Sequence, residues 1–141
     1  MKTFRLLISA AALAASATFA QADGRAFFAY LYGGNERPVL GDLDSFGIAT
    51  VTINSATSIC YSILLHNTIP NTAAHIHSGP PHIAGPVALA LPINPNVPLR
   101  IGNCVPAPAA FVAALRANPQ NFYVNVHNPA RPAGAARGQL Q

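Results

Sequence analysis

The chain has 141 residues, 51% of them hydrophobic and only 9% charged, with a formal net charge of +4. That length suits one domain of about 100–150 residues, and the apolar content excludes a disordered polar chain. Thirteen prolines, spread from Pro38 to Pro132, would break a helix bundle at almost every turn and suit the loops and strand edges of a β protein.

In chain order, Lys2 and Arg5 precede an apolar run from Leu6 to Leu13, and small residues end it at Ala20-Gln21-Ala22. Residues 1–22 therefore read as a secretory signal peptide, with an apolar run too short to span a bilayer. Cleavage after Ala22 leaves a single β domain over residues 23–141, and cleavage after Ala20 is the alternative. The expected location is periplasmic or secreted, with no membrane span. Without Lys2 and Arg5 the exported chain keeps six arginines against Asp23, Glu36, Asp42 and Asp44, a net charge of +2 with no lysine. A nucleic-acid partner, which needs a dense basic footprint, is excluded.

Alternation of apolar and polar residues, bounded by Gly, Pro, Asn and Asp, predicts strands over Arg25 to Tyr32, Phe46 to Ile53 and Ile59 to Leu65, the last two joined as a hairpin. Further strands are expected at Ala73 to His77, Val87 to Leu91, Phe122 to His127 and Ala136 to Leu140. Residues 108–117 break this pattern: Phe111, Val112 and Leu115 fall at helical spacing, prolines suit the first turn, and Asn118-Pro119 stops it. The expected fold is all-β, a Greek-key sandwich or barrel of about seven or eight strands with one short helix. Cys60 and Cys104 are the only cysteines. In an oxidising compartment they are expected to pair as a disulfide, since neither has the C-x-x-C neighbour of a thiolate metal site.

Five histidines lie in the exported part, three of them (His75, His77 and His82) in one short stretch. Residues i and i+2 of a strand point to the same face about 6–7 Å apart, so His75 and His77 can converge on one metal ion. On the late strand the same alternation puts Tyr123, Asn125 and His127 on one face and Phe122, Val124 and Val126 toward the core. His127 is the third candidate ligand, and His82, in a Gly/Pro loop, is the fourth. His66 ends a strand at a turn and is expected to be exposed. A set rich in imidazole and poor in carboxylate suits copper(II) or zinc(II) over calcium or magnesium.

Taken together, Tyr30-Leu31-Tyr32-Gly33-Gly34-Asn35-Glu36, Ala74-His75-Ile76-His77-Ser78-Gly79, Tyr123-Val124-Asn125-Val126-His127 and Arg137-Gly138-Gln139 resemble a CHRD domain, the module named after chordin. The chain departs from that pattern at Arg37-Pro38-Val39 and at Ala135-Ala136. The order His75, His77, His82, His127 and Arg137 is also similar to that of copper–zinc superoxide dismutases, without their long zinc loop. That resemblance implies one mononuclear copper ion, superoxide as the small-molecule substrate, and Arg137 as the catalytic cation that attracts it. A copper carrier would use the same histidines without Arg137, and a metal-free adhesion module would use neither. The apolar content leaves room for a homodimer surface.

Overall fold

The computed structural model describes residues 24–68, 70–95 and 101–141, so the expected signal peptide and both cleavage sites lie outside the described residues. Eight strands form β1 (Ala26–Tyr32), β2 (Phe46–Ser55), β3 (Ser58–His66), β4 (Ala73–Ser78), β5 (Val87–Leu91), β6 (Ile101–Pro106), β7 (Phe122–Asn128) and β8 (Arg131–Gln139), and one helix, α1 (Ala109–Ala117), precedes β7. All the pairings are antiparallel, in the order β5-β4-β7-β8-β1-β2-β3-β6. The all-β expectation with one short helix holds. β1 and β8 join the two halves, through the pairing of Tyr32 with Arg137 and reciprocal 2.9 Å main-chain hydrogen bonds between Phe28 and Gln141. The sheet thus wraps into a nearly closed barrel.

The alternation that predicts the strands also fills the interior. Phe27, Ala29 and Leu31 of β1 face Val51 and Ile53 of β2, Ile59, Ile63 and Leu65 of β3, and Ile76, Val124, Val126 and Leu140 from the other half, all at most 2% exposed. Burying each of the larger side chains is worth about 1.5–3 kcal/mol. The helix contributes its predicted stripe, Phe111, Val112 and Leu115, to the same core, with Phe111 edge-on to Phe122.

Two stretches differ from the sequence expectation. β6 is an additional strand, and β8 begins at Arg131, well before Ala136. Gly102 and Asn103 carry no apolar period, yet β6 forms at the sheet edge because β3 supplies its hydrogen-bond partners. Cys60 stands directly opposite Cys104 across this pair, and the two form the expected disulfide. The bond fastens an edge strand that has only one neighbour in the sheet.

Replacing both cysteines (Cys60→Ala with Cys104→Ala) is expected to lower unfolding stability by about 2–4 kcal/mol in a denaturant titration. Alkylation without reductant should leave the mass of the native protein unchanged, whereas addition of two alkyl groups would contradict the bond.

Candidate metal centre

The outer face of β4, β7 and β8 carries the polar side chains of these strands. In the β4–β7 register Ala73 faces His127, His75 faces Asn125 and His77 faces Tyr123; across β7–β8, Asn125 faces Arg137 and Tyr123 faces Gln139. The face that the alternation assigns to Tyr123, Asn125 and His127 is therefore shared with His75 and His77. Irregularities in pairing fall beside the histidines, between Ile76 and His77 on β4 and between Val126 and Asn128 on β7. Bulges of this kind re-aim side chains next to sites.

His75, His77 and His127 form one cluster, each offering a ring nitrogen, all within 4.8 Å of one another, and all half-buried. Two main-chain carbonyls orient the rings. His77 Nδ1 lies 2.8 Å from Gly85 O, and His127 Nδ1 lies 3.0 Å from Pro132 O. A carbonyl only accepts, so both Nδ1 atoms carry the proton and both Nε2 atoms keep a lone pair. This arrangement, in which the far nitrogen is held by an acceptor, is the usual one behind a metal-ligating imidazole. His77 Nε2 is buried with no hydrogen-bond partner, a costly state for an ordinary side chain and a natural one for a ligand atom. His75 Nδ1 lies 3.1 Å from His127 Nε2. Two nitrogens each about 2.0–2.1 Å from one ion sit at about this separation.

Burial lowers the pKa of all three rings. His127 and then His77 push His75 down further, His127 and Arg137 push His77 down, and the Gly85 and Pro132 carbonyls oppose the shift at His77 and His127. The imidazoles are thereby kept neutral, the form that binds metal.

The other expected site residues lie elsewhere. His82 stays outside the cluster, with its Nδ1 3.3 Å from Arg37 Nη2. The reason is the path of the loop between β4 and β5. Arg137 donates to the carbonyls of Ile83 at 2.8 Å and Pro80 at 3.0 Å, and Gln139 Nε2 donates to Gly79 O at 2.7 Å. These bonds fold the loop over β8 and carry His82 away from β4. His66, expected to be exposed and not a ligand, lies outside the cluster, half-buried on β3 and stacked on Phe46. Arg137 is 2% exposed, and its guanidinium rests 3.3 Å from the centre of the Tyr123 ring. His77 stacks on the same ring at 4.9 Å from the β4 side. Tyr123 thus stands between the arginine and the histidine cluster, and its hydroxyl accepts the Gly85 N–H at 3.0 Å.

Glu36 is a buried acid that the sequence reading left without a role, and it is 1% exposed. Asn125 Nδ2 donates to its Oε2 at 2.9 Å, while Glu36 Oε1 and Asn125 Oδ1 are both buried without a partner. A proton on the carboxyl would supply the donor that these two acceptors lack. Burial raises the Glu36 pKa to about 7, with Arg137, Asn125 and Arg37 opposing the shift. A Cβ on Gly134, whose φ is +149°, would stand 2.5 Å from Glu36 Oε2, so only glycine leaves room for the carboxyl. Likewise a Cβ on Gly85 would collide with the Ser78 carbonyl. Crowded glycines are a signal for both contacts, but one that is visible only once the loops are placed.

The family model of the CHRD domain matches residues 27–140. No curated protein and no solved structure matches the chain.

With its folded-state pKa raised from 4.5 to about 7, Glu36 contributes fully below pH 4.5, and stability falls as pH rises from there to about 7. A glutamine side chain in its place would accept the same Asn125 Nδ2–H and add an amide donor without a charge. A Glu36→Gln variant is therefore expected to match the native protein near pH 4.5 and to exceed its unfolding stability at pH 8 by on the order of 1–3 kcal/mol. Equal pH profiles in denaturant melts would contradict the buried acid.

Proposed function

The chain belongs to the CHRD domain family, and we propose that it is an exported member that holds one copper ion on His75, His77 and His127. The observation that supports this most is the convergence of the three imidazoles, two of them with their protons fixed on Nδ1 by main-chain carbonyls. Three neutral nitrogens would suit both oxidation states of copper. The disulfide fits an oxidising compartment, which supports a periplasmic or secreted setting.

Superoxide dismutation is the activity we propose for this centre. A bound copper ion supplies one-electron exchange: one superoxide gives up an electron and leaves as O2, and a second takes that electron with two protons and leaves as H2O2. The chain's own residues fix the three ligands, keep them neutral and provide a positive field. Arg137 acts from behind Tyr123, so its charge attracts the anion through the local field without touching it. A copper carrier is the second reading, favoured by the engagement of Arg137 with loop carbonyls.

The proposal extends to a homodimer. The outer face of β1 and β2 exposes Phe28, Tyr30, Tyr32 and Phe46, each close to half accessible. Tyr30 sits opposite Ile48 and Tyr32 opposite Phe46, so the rings are contiguous. They offer roughly 400 Å² per copy, the scale of a weak pair. Light scattering should show mass rising toward a dimer at high concentration, and a constant monomer would remove this part.

Copper titration followed by EPR is expected to saturate at one equivalent, with affinity falling about 10–100-fold in His127→Ala. No saturable uptake would remove the copper reading. Copper-loaded protein should accelerate superoxide loss, and loaded protein with no such effect would leave the carrier.

A further inference from the structure

A pocket with a volume of about 120 Å³ lies beside β8, lined by Asn35, Pro81, His82, Arg137 and Gln139, with the Arg137 guanidinium between it and the Tyr123 ring. Two guanidinium groups meet around it. Arg137 belongs to the lining, and Arg37 reaches the rim through His82. A guanidinium only donates, so His82 Nδ1 accepts from Arg37 and the ring proton sits on Nε2 as a donor. His82 holds a φ of +69°, in the left-handed region that non-glycine residues rarely occupy. The chain is kept in that conformation by the two bonds from Arg137 to the carbonyls on either side, those of Pro80 and Ile83.

The charge around this pocket is unbalanced. Arg137 donates to two carbonyls and to Gln139 Oε1, and Arg37 donates to the carbonyls of Gly34 and Glu36. Among the described residues neither arginine has a carboxylate within ion-pair distance. The acid that acts on both arginines electrostatically is Glu36, which is buried and hydrogen-bonded to Asn125 rather than to either guanidinium. A nearly buried cation without a counter-ion is an unfavourable arrangement unless an anion completes it.

We propose that this pocket binds a small oxyanion, a carboxylate or an inorganic tetrahedral anion, through His82 Nε2–H and the paired charges of Arg37 and Arg137. The site requires neither copper nor the three-histidine cluster, and so it goes beyond the metal reading. The volume admits a small oxyanion of about four or five heavy atoms together with its waters. Charge-assisted hydrogen bonds from guanidinium to such oxygens are short and strong.

The test is calorimetric titration of the metal-free protein with sodium sulfate and, separately, sodium acetate, with sodium chloride at matched ionic strength as the reference. Saturable one-to-one binding of sulfate or acetate is expected, weakened at least about tenfold in Arg37→Gln and in His82→Ala and unchanged in His75→Ala. Tighter sulfate binding assigns the pocket to inorganic anions, and tighter acetate binding to carboxylates. Heats no larger than those of chloride, or equal affinity in the native protein and in His82→Ala, an exposed position that leaves the core intact, would overturn the proposal. Because His75→Ala removes only a metal ligand, failure of the anion site and failure of the copper site are read separately.

Discussion

The antiparallel register of β4 against β7 is the constraint on which the site depends. It sets His77 opposite Tyr123 and His75 opposite Asn125, and it brings His127 level with the start of β4. Side chains alternate with period 2, so a slip of β4 by one residue would send His75 and His77 into the core and Ile76 into solvent, and part the two from His127. The hydrophobic interior forbids that slip, since Ile76 is fully buried among core side chains. The same burial that closes the barrel therefore fixes the positions of the imidazoles.

Orientation, by contrast, comes from loops. The Gly85 carbonyl arrives with the loop after β4, and the Pro132 carbonyl with the start of β8, just past the β7–β8 turn. The β4–β5 loop is held in turn by Arg137 and Gln139 of β8 and by the Tyr123 hydroxyl. Arg137 thus has a structural role at a distance from the histidines: it braces the loop whose Gly85 sets the tautomer of His77. The loop that follows β1 closes the other side, where Glu36 pairs with Asn125 beside Gly134. Buried polar pairs of this kind specify one arrangement best when every atom is satisfied, and a proton on Glu36 would supply the donor that its Oε1 and Asn125 Oδ1 lack.

Much of this was legible in the sequence. Period-2 alternation located seven of the strands, and helical spacing located α1 with its buried stripe of Phe111, Val112 and Leu115. It also placed His75 and His77 on one face, because i and i+2 in a strand have no other choice. What escaped depends on tertiary partners. β6 is a strand because β3 pairs with it, whatever its own propensity, and Pro132 and Gly134 disguise the start of β8 as a loop. His82 was expected with the other histidines from its nearness in sequence. Its place beside Arg37 follows from carbonyl bonds between the loop and β8, which no local pattern encodes.

The most direct test of the account is a copper-soaked crystal with anomalous scattering measured at the copper edge. A single peak about 2.0–2.2 Å from His77 Nε2, His127 Nε2 and a ring nitrogen of His75 is the predicted result. A map with no peak at the three histidines, or with its only peak at His66 or His82, would contradict it.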